Sequence, residues 1–117
     1  MSFSDYQVHL WLGALNGYYV GCHFDDPNHA GAYASEISGD GYVRTQAFFT
    51  EPSNRTMWNV NVFGLAGLPA CVITHFSIWD AKTKGNLRGS IELPDPKRIL
   101  QGGGFTIIAG DLALSFA

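Results

Sequence analysis

From Tyr18 onward the chain is broken by turn residues at intervals of roughly 8 to 12 residues, and no later segment carries a helical pattern of about 10 residues or more. Parallel strands need a crossover of a dozen or more residues, usually helical, so the sheets should be mainly antiparallel. The runs between turns read as strands at Tyr18 to Phe24, Tyr42 to Thr50, Thr56 to Phe63, Ala70 to Trp79, Asn86 to Leu93, Gly104 to Ile108 and Leu112 to Phe116. Ala70 to Trp79 is the strongest, and its near-continuous apolarity predicts burial on both faces. Thr56 to Phe63 alternates Met57, Asn59 and Asn61 with Trp58, Val60 and Val62, one face amide-polar and the other apolar.

Ahead of the strands, Ser4 to Asn16 reads as the one good helix, with Ser4 as cap and Asn16-Gly17 as stop. It is apolar on more than one side and must dock against its own sheet or a neighbour. The expected fold class is therefore mainly β: an antiparallel β-sandwich or jelly-roll-like barrel of about seven strands with one short N-terminal helix. A length of 117 residues is that of one domain, read as a helical part over 1–17 and a β-sandwich over 18–117.

Composition bears on how such a domain presents itself. Apolar residues make up 46% and charged residues 15% of the chain, against roughly 25% charged in ordinary soluble domains. With so little charge, part of the apolar surface should be covered by a partner, and the eight Phe, five Tyr and three Trp are of the kinds enriched at subunit contacts. The net charge is -3, and the basic residues are scattered from Arg44 to Arg98 with only Lys97-Arg98 adjacent, which gives no footprint for nucleic acid. No apolar run approaches the ~18 residues of a membrane span and Met1 to Asp5 carries no basic leader, so neither a membrane nor an export route is expected. Cys22 and Cys71 lie in apolar runs and are expected as reduced thiols acting as small hydrophobes.

The chemistry-bearing motifs have plain structural readings. His23, Asp25, Asp26 and His29 fall within one short stretch, but Asp, Asn and Pro there serve a turn, and no histidine pair has zinc spacing. Gly102-Gly103-Gly104 precedes a strand instead of a helix and lacks the helix N-terminus of a phosphate loop. Asp80 before Lys82-Thr83-Lys84-Gly85 reads as a hairpin turn, and nothing resembles a nucleophile elbow. The expectation is no catalytic residue, no metal site and no cofactor. His75 and Asp80 are the residues whose replacement would reveal an enzyme.

Four segments, in order, carry a resemblance. They are the helix end Leu15-Asn16-Gly17, the stretch Tyr19 to Pro27, the turn Glu36 to Arg44 with Gly39-Asp40-Gly41 at its centre, and Thr74 to Ala81 followed by Gly85-Asn86-Leu87. Together with the closing pair Gly104 to Phe116, they resemble a family of small virion proteins of tailed phages. Asp40, where a third turn glycine is frequent, and the bulky Phe63 to Pro69 depart from its pattern. The resemblance implies a non-enzymatic structural protein of a bacteriophage virion, assembled in the bacterial host cytoplasm. A capsid decoration or cement protein comes first, because the chain has no shaft. A tail or tail-fibre-associated component, or a host-surface or carbohydrate-binding module, comes second. The implied partners are the major capsid protein or tail proteins and further copies of the chain as a homo-oligomer, in the first reading a trimer. Phe3, Tyr6, Trp11, Leu65 and Leu68 are the candidate contact residues, being large apolar groups on the helix flank and in the Gly64 to Pro69 loop.

Overall fold

A computed structural model describes residues 3–31, 33–39 and 42–115. The Asp40-Gly41 half of the expected glycine turn, and Phe116 at the end of the expected last strand, lie outside the described residues.

Helix α1 spans Asp5–Gly13, with the Ser4 hydroxyl accepting from the Gln7 N–H as predicted. It buries Val8 and Leu12, one turn apart, and ends earlier than expected because Ala14 to Gly17 turn out of it, with Gly17 at φ +84°. Its N-terminus is held by a two-residue hairpin. Asn54 and Arg55 both sit at positive φ between Ser53 and Thr56, and Arg55 Nε donates to Asp5 Oδ1 at 2.8 Å.

The main sheet contains β1 (Tyr19–His23), β2 (Thr45–Gln46), β5 (Cys71–Trp79) and β6 (Leu87–Ile99) in the order β2-β1-β5-β6. Two ribbons pair β3 (Thr56–Trp58) with β8 (Ala113–Ser115), and β4 (Phe63–Leu65) with β7 (Phe105–Ile107). Among the described residues every pairing is antiparallel, in line with the mainly antiparallel sheets expected, and no sheet closes into a barrel. One core joins them, including Val8 and Leu12 from α1, Phe76 and Ile78 from β5, Met57 from β3, Phe63 from β4 and Leu114 from β8.

Four elements differ from the sequence reading. Only Thr45 and Gln46 of the Tyr42 to Thr50 run join a strand, and Phe49 makes an isolated bridge with Asn59. Thr56 to Phe63 is divided between β3 and β4, so Gly64 and Leu65 are strand and not loop. A single helical turn, α2 (Pro27–Ala30), lies in the expected loop, with Asp26 as cap and Pro27 in its first turn. Finally, β6 runs on through Pro94 and Pro96. Proline removes a ladder donor, but both prolines fall where the ladder with β5 is interrupted, between Glu92 opposite His75 and Lys97 opposite Ile73, on the outer strand of the sheet.

Candidate functional site

The most concentrated chemistry lies where β1, β5 and the segment from Tyr33 to Arg44 meet. Arg44 and Glu36 are almost fully buried, and the guanidinium engages both carboxylate oxygens, Nε to Oε2 at 2.8 Å and a terminal nitrogen to Oε1 at 2.9 Å. The same guanidinium lies 3.6 Å from the ring centre of Trp79 and donates to the Ala81 and Lys84 carbonyls. One arginine thus ties the Glu36 segment, the end of β5 and the β5–β6 turn together. The Tyr42 hydroxyl donates to Glu36 and accepts from the Cys22 N–H at 3.0 Å. Burial, then the bond to Glu36, raises its pKa, so it stays a neutral donor.

A second chain of bonds runs beside the first. Ser35 Oγ donates to the Gly31 carbonyl at 2.7 Å, so its bond with His23 Nδ1 at 2.9 Å has the imidazole N–H as donor. The other ring nitrogen, Nε2, then accepts from the Ser77 hydroxyl at 2.6 Å, and Ser77 Oγ accepts from Trp79 Nε1 at 2.6 Å. This proton inventory needs a neutral His23. Burial lowers its pKa from 6.5 to about 4, with Arg44 and His75 acting in the same direction and Glu36 opposing. Backbone room comes from Gly21. A Cβ there would fall 2.7 Å from Ser77 Oγ and 2.9 Å from Trp79 Nε1.

Ser77 and His23 stand at the distance of a nucleophile and its base, and both are fully buried. No buried side-chain nitrogen or oxygen among the described residues lacks a partner, so the cluster has no spare group aimed at a ligand. It does what a satisfied polar core does, which is to fix one arrangement of the loops above it. Asp80 plays the hairpin role expected of it. Its carboxylate accepts from the backbone and side chain of Asn86 and from Arg88, and the Asn86 bonds, first among the causes, lower its pKa. The acidic turn is used likewise: Asp25 accepts from the Asp26 N–H and Asp26 caps α2, while the His23 ring points inward. Both cysteines are free thiols, with burial raising the pKa of each.

These interior residues fall inside the segments that carried the resemblance: Gly21 and His23 in the first strand, Glu36, Tyr42 and Arg44 in the turn, Ser77 and Trp79 in the hairpin. Sequence reading took the first as a strand running into a turn, the second as a glycine turn, and the third as a buried strand with its hairpin, each on local grounds. The signal that three of them meet was their residue types, an acid, an arginine and a histidine set among apolar runs, where burial demands partners.

The candidate contact residues separate into two groups. Tyr6 is 73% exposed on the outer side of α1, and Phe3 and Trp11 pack edge to face at 4.6 Å, both partly exposed. Leu65, in β4, is half-buried against the core. Leu68 is fully buried, which corrects its placement at a contact: its N–H donates to the Gly103 carbonyl and its carbonyl accepts from the Gly102 N–H, so the loop folds inward around it.

An unexpected surface lies on the β3 ribbon. Met57 and Asn59 are buried, while Trp58, Val60 and Val62 are exposed. The alternation is as the sequence reads, and the amide face is the inner one. Asn59 can sit there because its side chain donates to the Asn61 and Ile108 carbonyls and accepts from the Leu112 N–H. A groove of about 430 Å³ opens elsewhere, with an apolar floor of Phe76, Ile91 and Leu112 and a rim carrying Glu92, Asp95, Asp111 and Lys97.

Among known proteins, a family model described as podophage GP4 fiber I protein gp80 matches residues 12–115. No curated protein matches the chain. The matched span takes in all eight strands and the whole polar cluster, and it begins at the last turn of α1.

Proposed function

Because the chain belongs to the podophage GP4 fiber I protein gp80 family, we propose that it is a structural component of the fibre apparatus of a podophage tail, acting by protein contact and not by catalysis. The family is one of phage fibre and virion structural proteins, and the match over residues 12–115 carries the reading. The architecture supports it in two ways. Among the described residues the buried polar side chains all have partners, whereas large apolar side chains stand on the surface at α1 and on the β3 ribbon. With extents of 44 × 28 × 26 Å, the described chain makes no shaft of its own and suits a compact module joined to other tail proteins.

The sequence put capsid decoration first and a tail-fibre role second. The family description reverses that order, since it names a fibre. Quantitative mass spectrometry of purified particles, with antibody labelling, tests the reading. Labelling at the tail with a few tens of copies or fewer supports it, and hundreds of copies spread over the shell would overturn it. Binding of the purified protein on a glycan array would extend the role to host recognition.

A further inference from the structure

We infer that the groove between β6 and the turn leading into β8 binds an extended basic segment of another virion protein, one that sets an apolar side chain beside a lysine or arginine. The groove is built by an irregularity of pairing. Glu92 stands opposite His75 and Lys97 opposite Ile73, so Thr74 alone faces Leu93 to Pro96 and β6 carries the extra residues. Pro94 and Pro96 have fixed φ, which stiffens this wall of the groove. The other wall is the turn closed by the Asp111 N–H to Ile108 carbonyl bond, which brings Asp111 to the rim. Between the walls, Phe76 and Ile91, which pair across the sheet, join Leu112 as the apolar floor.

Charge selects the occupant. Among the described residues, every acidic side chain outside the groove is partnered: Asp5 with Arg55, Glu36 with Arg44, Glu51 with His9 and Asp80 with Arg88, while Asp25 and Asp26 accept from backbone N–H groups of their own turn. Glu92, Asp95 and Asp111 have no side-chain hydrogen bond or ion pair among those residues. All three are exposed, and Lys97 is the one base that lines the groove with them. The carboxylates that the fold leaves unpaired are thus gathered at one apolar cleft. Such a rim attracts a cation and repels phosphate groups, nucleic acid and acidic glycans. A cation by itself would leave the floor open to water, whereas an apolar side chain next to it covers the floor. A volume of about 430 Å³ has room for a few side chains of a peptide and not for a domain. A second copy packed about a two-fold axis would bring these acids against their own kind, which favours a different chain. The inference rests on the protein-contact role proposed above and gives the chemistry of the partner.

The test is an array of overlapping peptides covering every structural protein of the phage, this chain included, probed with the full-length protein and followed by fluorescence anisotropy of the captured peptides in solution. Captured peptides are expected to come from other virion proteins, to carry net positive charge with a lysine or arginine beside a large apolar residue, and to bind more weakly as salt is raised. Asp95→Lys should weaken that binding at least about tenfold while keeping the wild-type circular dichroism. Ala113→Phe, which puts a ring into the groove from an exposed position on β8, should do the same, and Glu51→Gln, beside α1, should change nothing. A silent array overturns the inference, as do captured peptides that are acidic or neutral, peptides drawn only from this chain, or binding that survives either groove variant. If Asp95→Lys fails to fold, Ala113→Phe decides. Captured peptides from shell proteins in place of tail proteins would uphold the groove and overturn the fibre placement, so the two readings fail separately.

Discussion

The Glu36–Arg44 cluster and the β3 ribbon are neighbours in sequence and reverse the ordinary rule of inside and outside in opposite directions. In the cluster a charged pair, a histidine and two serines are buried and every polar atom finds a partner. On the ribbon Trp58, Val60 and Val62 face outward while Asn59 goes in. Both inversions are held by hydrogen bonds, and they differ in what they leave over. The cluster leaves nothing and so specifies one arrangement of the chain. The ribbon leaves an apolar face open to solvent. A structural subunit needs both, a rigid shape and a surface that is unstable alone.

Arg44→Leu should have the largest effect. Removing one partner of a buried pair leaves Glu36 charged and unpaired, a loss of about 3–5 kcal/mol, and it also strips the Trp79 ring and the Ala81 and Lys84 carbonyls of their cation. Urea unfolding measures it, and a loss below about 1 kcal/mol would mean that water reaches the pair.

The next effect is one of pH. His23 binds its proton at about 4 in the folded chain, against 6.5 for a solvated histidine of the unfolded chain. Between those values the unfolded state holds more protons, so stability is full above pH 6.5, falls as the pH drops, and stops falling on this account below about 4. The drop is about 3 kcal/mol, taking 1.36 kcal/mol per pKa unit. His23→Asn should be less stable at neutral pH yet flatter between these limits in denaturant titrations. An identical pH slope in the variant would remove His23 as its cause. Gly21→Ala follows, at about 1–3 kcal/mol of overpacking, because the added methyl meets Ser77 and Trp79 where neither side chain has room to move. A melting temperature within a degree of wild type would show that the cluster yields more than its bonding suggests.

How far the fold was legible follows the same division. Strand β5, the Asp80 hairpin with Gly85 at positive φ, and the Ser4 cap were readable because each is governed by neighbours in sequence. The Tyr42 to Thr50 strand was not. Arg44 turns into the cluster, and the Phe48 N–H bonds the Asn61 side chain in place of a ladder carbonyl, which is a tertiary matter. Pro94 and Pro96 stop a strand on local grounds, and the irregularity between Glu92 and Lys97 on an edge strand, a fact of pairing, lets it continue. The orientation of residues 56–62 was hidden for a similar reason. An alternation gives two faces without saying which is inner, and here Asn59 prevails because the 108–112 turn wraps around it.

That orientation gives the smallest predicted effect. Val62→Thr exchanges a methyl for a hydroxyl of nearly the same shape and keeps the β-branched preference for strands. Inside a core this swap buries an unpaired hydroxyl and costs about 1–3 kcal/mol. Val62 is 61% exposed, so in dilute solution the change should stay within about 0.5 kcal/mol. The value separates the two regions because the inner face of the same ribbon should respond differently. Asn59→Leu, next to it, would strand the Leu112 N–H and the Ile108 carbonyl and should cost several times more. If Val62→Thr proved the costlier of the two in dilute solution, the ribbon would face the other way. The exposed apolar face would be lost.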